Sequence, residues 1–143
     1  MNTKKYPFLD GEVVVAVQDA PGKKLRPVKL DTGVVDMDPK TGDFKPIRVV
    51  ANIVLEDEAN PGEYLTELGQ PVEIQVRYRP DDMRAARRDN KPLALGFWDG
   101  QGWVRFTAEK HSFELRPDAT TPDSGYGVVV ITRWGDPPTG WGR

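Results

Sequence analysis

Few residues of this 143-residue chain could carry catalytic chemistry. It has one histidine, His111, and no cysteine, which excludes a thiol nucleophile, a thiolate zinc site and a disulfide framework. A serine nucleophile would have to be Ser112 or Ser124, and neither lies in the Gly-x-Ser-x-Gly turn that exposes such a serine. His111 alternates with Phe113 and Leu115, which favours a core or half-buried histidine on a strand over a catalytic base. We therefore predict a chain that is not an enzyme, with no catalytic residue and no cofactor.

Acidic residues raise a calcium site as an alternative. Asp36, Asp38 and Asp43 place carboxylates at nearly alternate positions, as calcium ligands often stand. Thr41, however, stands where the loop of an EF-hand requires glycine. A hairpin tip from Asp38 to Asp43 is favoured instead, because its proline and glycine suit a tight turn. The acidic stretch Glu56 to Gly62 is expected to be a solvated surface. No metal site is predicted, although calcium binding by these loops stays open.

The tryptophans are the residues best suited to binding. Trp98 and Trp103 fall on two strands of a predicted hairpin and are expected to point outward, Trp103 beside Arg105. Trp134 and Trp141 bracket a segment rich in proline and glycine. Outward tryptophans can stack on a sugar ring or anchor a protein partner, or the chain's own tail or an adjoining loop can cover them. These five residues form the candidate binding surface.

Charge and hydropathy limit the classes of partner that the chain could bind. The chain carries 20 Lys and Arg against 22 Asp and Glu, so it lacks the excess positive charge that holds nucleic acid. No apolar run approaches the roughly 20 residues that a membrane-spanning helix needs. No apolar segment typical of a secretory signal follows Met1, so a cytoplasmic location is expected if the sequence is complete. A protein partner, a second copy of the chain or a carbohydrate remain as alternatives.

Alternating apolar residues predict β-strands along most of the chain. The 14 Gly and 13 Pro fall between apolar runs, as many short strands require. In the clearest segment Val72, Ile74, Val76 and Tyr78 alternate with polar residues and are expected to face the core. The strands predicted are Glu12 to Gln18, one or two within Lys29 to Met37, Ile47 to Glu56 with its odd-numbered residues inward, Val72 to Arg79, Leu93 to Asp99, Trp103 to Thr107 with Val104 and Phe106 inward, His111 to Arg116, and Gly127 to Trp134.

One helix is predicted, over Pro80 to Arg88. Proline suits the first helical turn, and acidic Asp81 and Asp82 and basic Arg87 and Arg88 stand at the ends that favour their charges. Together the elements predict an all-β fold: an antiparallel two-sheet sandwich, Ig-like, of seven or eight strands, with at most one short helix near residues 81–88. A barrel is the alternative. Residues 1–134 are expected to form one domain and 135–143 a tail without regular structure, packed on its own sheet or on a neighbour.

Three segments between Val72 and Leu115 share a further pattern. They are VEIQVRY at 72–78, LALGFWDGQGWV at 93–104 and HSFEL at 111–115. The pattern resembles Ig-like, ZU5-type sandwich modules of bacterial multidomain and surface proteins. It consists of an alternating strand, then a hairpin that carries an aromatic residue, Asp-Gly and Trp, and then a strand that opens with His and an aromatic residue. The resemblance spans about a third of the chain. It implies a non-enzymatic module for structure or interaction, with no catalytic residue.

The sequence therefore predicts a non-enzymatic structural or protein-interaction module that self-associates through an edge strand or through its C-terminal tail. The alternative is a module that binds a carbohydrate or small ligand through the hairpin tryptophans. Fold analogy alone does not decide between them.

Overall fold

Strands dominate the fold in a computed structural model of the chain. The structure describes residues 3–18, 25–30, 46–63, 65, 67–88, 90–98, 103–133 and 138–142. In chain order the elements are β1 (Thr3–Phe8), a 3-10 turn (Leu9–Gly11), β2 (Val13–Gln18), β3 (Leu25–Leu30), β4 (Pro46–Asp57), β5 (Glu67–Tyr78), α1 (Pro80–Arg88), β6 (Ala94–Trp98), β7 (Trp103–Arg105), α2 (Ala108–His111), β8 (Glu114–Pro117), β9 (Gly125–Arg133) and β10 (Pro138–Gly142).

The strands form two five-stranded sheets. The front sheet has the order β1-β2-β5-β9-β8, and the back sheet has the order β3-β4-β10-β6-β7. All neighbouring strands are antiparallel. Buried residues of both sheets, such as Val15 and Val72 in front and Leu55 and Leu95 behind, belong to one hydrophobic core. The predicted all-β, sandwich-like class is confirmed, with ten strands in the described residues rather than seven or eight.

Strand β5 shows why the alternation predicts the core. Val72, Ile74, Val76 and Tyr78 are each at most 3% exposed, while the intervening residues are only partly buried. Successive side chains of a strand point to opposite faces, so one set packs between the sheets and the other meets solvent. The predicted inward face of β5 is confirmed.

Strand β4 departs from simple alternation near its end. Ile53 and Leu55 are buried as predicted, but Val54 and Glu56 are also no more than 4% exposed. Glu56 tolerates burial because Arg26 of β3 forms an ion pair with it and the N–H of Gly62 donates to its Oε2 at 3.0 Å. A buried carboxylate requires such partners. The expectation that Glu56 begins a fully solvated loop is therefore wrong.

Helix α1 has the predicted bounds and the predicted end charges. Pro80 occupies its first position, and the buried Asp82 accepts the N–H of Arg79 at 2.9 Å, which caps the helix start. Arg87, near the end, forms an ion pair with Asp123 at 2.7 Å. No helix within the described residues has the length and apolar character needed to cross a bilayer.

The C-terminal segment corrects the prediction most. Residues 135–143 were expected to lack regular structure, but Pro138–Gly142 form β10, which lies between β4 and β6 in the middle of the back sheet. Proline is tolerated at the first position of a strand. Burial of Trp141 compensates for the low β-propensity of the prolines and glycines around it.

Two further predictions change at their boundaries. Strand β3, Leu25–Leu30, overlaps the predicted segment Lys29 to Met37 only at its first two residues. The rest of that segment and the hairpin tip Asp38 to Asp43 lie outside the described residues. The strand predicted from His111 begins at Glu114, because Thr107 starts the short helix α2 by accepting the N–H of Lys110 at 3.1 Å. A threonine at this position caps a helix by satisfying an amide that has no partner within the helix.

Candidate functional site

The predicted tryptophan hairpin exists. Strands β6 and β7 pair with Trp98 opposite Trp103, Phe97 opposite Val104 and Gly96 opposite Arg105. The placement of the two indole side chains lies outside what the structure describes. Arg105 is half-buried. The backbone therefore brings two of the candidate binding residues to directly opposite positions at one end of the back sheet.

Trp141 belongs to the core. It is 0% exposed, its Nε1–H donates to the carbonyl of Arg77 in the front sheet at 2.8 Å, and its ring lies 5.5 Å from that of Tyr78 in an edge-on arrangement. A Cβ at Gly127 of β9 would collide with the Cη2 atom of the indole. Trp141 thus spans the space between the sheets and joins them, and it needs a glycine beneath it.

The five predicted binding residues therefore do not form one surface. The interior position of Trp141 removes it from any surface, which corrects that part of the prediction. Trp134 lies outside the described residues. Trp98, Trp103 and Arg105 remain as candidates on the β6–β7 hairpin.

Val104 is a surface residue that the sequence pattern assigned to the core. It is 37% exposed, although it pairs with the half-buried Phe97 across the hairpin. The reason is that β7 is an edge strand, so the inward face of the sheet ends there. Among the described residues, Val104 and Leu9 are the exposed large hydrophobic side chains. The exposure of Val104 could be recognised only once the strand order was known.

Two adjoining depressions lie against the front sheet at the start of β5 and the end of β9. The larger, of about 400 Å³, is lined by Pro71, Lys110, His111, Ser112, Val130, Ile131 and Thr132. The smaller, of about 240 Å³, is lined by Thr3, Ala16, Pro71, Glu73 and Val130. Pro71 and Val130 line both depressions, and together we call the two depressions the α2 groove. No single motif in the sequence indicates it, because residues of β1, β2, β5, α2 and β9 line it.

His111 forms part of the wall of the α2 groove. The N–H of Thr107 donates to its Nδ1 at 3.2 Å, and its ring meets those of Phe106 and Phe97 edge-on, with centroids 4.9 and 6.3 Å away. Burial, and to a smaller degree the charge of Lys110, lowers the pKa of His111. The ring is therefore neutral near pH 7 and, with Nδ1 accepting, carries its proton on Nε2. His111 is thus half-buried, one of the two predicted environments, but it ends helix α2 and does not lie on the predicted strand.

Ser124, one of the two serines considered as a nucleophile, stabilises a loop. Ser124 is buried, and its hydroxyl donates to Asp118 at 3.1 Å, while Arg77 forms an ion pair with the same carboxylate at 2.7 Å. The hydrogen bond from Arg77, above all, lowers the pKa of Asp118. These contacts close the loop between β8 and β9 and leave Ser124 in a structural role.

Acidic side chains do not assemble a metal centre in the part of the chain that the structure describes. No group of three His, Cys, Asp or Glu residues there has the arrangement that could hold a metal ion. The carboxylates of Asp36, Asp38 and Asp43, which raised the calcium alternative, lie outside the described residues.

Comparison with known proteins adds no family to this picture. Family models, curated proteins and solved structures gave no match to the chain. The resemblance to Ig-like, ZU5-type modules stays a prediction based on the three segments between Val72 and Leu115. What the chain does must be inferred from its own geometry.

Proposed function

We propose that this chain is a non-enzymatic interaction module that self-associates through strand β7, an edge of the back sheet in the described part of the chain. One observation carries the proposal: β7 is an edge strand that contains neither proline nor lysine and exposes Val104. An edge strand of this kind can pair with a strand of another chain.

The other three edges of the described sheets are protected. Strand β1 contains Pro7 and two exposed lysines, β3 contains Pro27, and β8 ends in Pro117. Proline has no N–H to donate to an added strand, and lysine opposes the close approach of a second sheet. Strand β7 lacks both devices, so we assign the interaction to this edge.

The residue types on β7 suit a protein contact. Val104 offers apolar surface at the edge, and Trp103 stands next to it, opposite Trp98. Tryptophan is enriched among residues that dominate binding energy in interfaces. Because β7 has three residues, it can form only a few hydrogen bonds, so the interface is small and the association weak.

The hydrogen bonds of His111 and Ser124 support the non-enzymatic part of the proposal. The Nδ1 of His111 accepts the Thr107 N–H, and the hydroxyl of Ser124 donates to Asp118. The contact at His111 involves no nucleophile, and the Asp118 carboxylate is a poor base for Ser124 because its ion pair with Arg77 lowers its pKa.

The test is the solution mass of the 16.0 kDa chain over a wide concentration range, compared with Val104→Lys. Leu9→Lys is the matched control, because Leu9 is also an exposed large hydrophobic residue, 41% exposed, but lies outside β7. We expect the mass of wild type and Leu9→Lys to rise with concentration and that of Val104→Lys to stay monomeric. A monomer at every concentration, or equal association of both variants, would overturn the proposal.

A second candidate is carbohydrate binding by the hairpin tryptophans. The observation in its favour is the register that sets Trp98 directly opposite Trp103, since neighbouring aromatic rings can stack on a sugar. A glycan array probed with wild type, Trp98→Ala and Trp103→Ala tests it. Binding that survives both substitutions would remove these residues from the site.

A further inference from the structure

We infer that the α2 groove holds an oxyanion, a carboxylate or a phosphate, in its larger part beside α2. This site is separate from the β7 edge and does not depend on the proposed self-association. Three observations carry it: the donors in the lining, a cation without an ion-pair partner among the residues that the structure describes, and a floor that shapes the depression.

The larger depression is lined by hydrogen-bond donors. Lys110 brings an ammonium group, Ser112 and Thr132 bring hydroxyls, and His111 in its neutral form brings an Nε2–H. None of the described residues that line this depression is a carboxylate. A group that only accepts hydrogen bonds and carries negative charge matches such a lining.

Lys110 differs from several arginines of the described surface. Arg77, Arg87 and Arg116 each form an ion pair with a nearby carboxylate. Lys110 is exposed and forms no ion pair among the described residues. Its charge is therefore available to a ligand, and Lys110 lines the depression together with the other donors.

The floor of the depression is fixed by the front sheet. Ile131 is buried and Val130 half-buried, both on β9, and Pro71 of β5 forms the adjacent wall. Its volume of about 400 Å³ falls within the range of small-ligand sites. The smaller part of the groove contains Glu73, which Arg116 approaches to 3.3 Å. Glu73 disfavours an anion there, so we place the oxyanion at the α2 end.

Binding at this place is expected to strengthen as His111 becomes protonated. An anion favours the charged ring, so it raises the pKa of His111, and by linkage the protonated protein binds more tightly. A rise of about one pKa unit corresponds to about tenfold tighter binding. Lys110 is the charged group that affects the ring from its own helix. From other parts of the described chain, Phe97 and Phe106 contact the ring, and the residues that line the depression with it are uncharged: Pro71, Val130, Ile131 and Thr132.

The experiment is an amide NMR titration of the full chain with inorganic phosphate and, separately, with acetate, at pH 5.5 and pH 8. Lys110→Gln removes the cation. His111→Asn removes the Nε2 donor but keeps an acceptor for the Thr107 N–H. Lys91→Gln is the control, because Lys91 is exposed and does not line the groove.

We expect saturable shifts at Lys110, Ser112 and Thr132, with tighter binding at pH 5.5. Lys110→Gln should weaken binding by about fivefold or more, His111→Asn should remove the pH dependence, and Lys91→Gln should change neither. Saturation by phosphate alone, or by acetate alone, would identify the oxyanion. Shifts that do not saturate with either anion, or equal affinity in wild type and Lys110→Gln, would overturn the inference.

Discussion

Strands β10 and β7 belong to the same sheet and each carries a tryptophan, but their positions in the sheet differ. Strand β10 lies between β4 and β6, and its Trp141 is completely buried. Strand β7 is at the edge, and its central residue Val104 is 37% exposed. The difference teaches that strand order, rather than residue type, decides whether an apolar side chain holds the sheets together or faces a partner.

The largest effect expected from this comparison is the loss of Trp141. Trp141→Ala removes the side chain that spans both sheets, and we expect it to lower the free energy of unfolding by about 3–5 kcal/mol. Val104→Ala should change it by no more than about 0.5 kcal/mol, because the residue is exposed. Urea unfolding of the two variants measures the contrast. Similar losses in both would contradict the distinction between central and edge strand.

A second, smaller effect concerns the glycine beneath the indole. Gly127→Ala places a methyl group where Trp141 lies, so we expect a loss of about 1–3 kcal/mol from overpacking. In a Trp141→Phe background the smaller ring leaves room, and the cost of Gly127→Ala should shrink. Urea unfolding of the two single variants and the double variant tests this coupling. Strictly additive losses would show that the glycine and the indole do not interact.

The third effect depends on pH and concerns Glu56, near the end of β4. The N–H of Gly62 and the Arg26 guanidinium lower the pKa of Glu56. A lowered pKa in the folded state stabilises the fold above the pKa of an unfolded glutamate, about 4.3, and that contribution disappears as pH falls through the folded value. We expect the urea midpoint of Glu56→Gln to fall less than that of wild type on acidification from pH 6. The exposed Glu58→Gln is the control, and it should follow wild type.

The smallest effect is expected at Tyr78, which packs against Trp141. Its hydroxyl is buried without a hydrogen-bond partner among the described residues. Removing an unpaired buried hydroxyl costs little, so Tyr78→Phe should leave the free energy of unfolding within about 0.5 kcal/mol of wild type or raise it. A loss larger than about 1 kcal/mol in urea unfolding would reveal a bound water or another partner of this hydroxyl.

Regular patterns made the core of the fold predictable. Alternation of Val72, Ile74 and Val76 identified β5 and its buried face, and proline with flanking charges gave the bounds of α1. Strand β10 could not be predicted in the same way, because Pro138, Gly140 and Gly142 have low β-propensity and only the burial of Trp141 explains their conformation.

The candidate site was less predictable than the fold. Thr107, three residues before Lys110, is a helix-start signal that would have shown that His111 is not on a strand. Val104 is exposed because of the order of the strands in its sheet. The same kind of information is needed to see that Pro71 and His111 line one depression. Sheet order arises from contacts far apart in sequence, and no local pattern contains it.

Hydrogen exchange of β7 and β10 at low and high protein concentration tests the central claim most directly. If β10 is a fixed central strand and β7 an edge that pairs with a second copy, amides of β10 should exchange slowly and equally at both concentrations. Amides of β7 should gain protection at the higher concentration. Exchange in β7 that is independent of concentration, or protection of β10 that changes with it, would contradict the account.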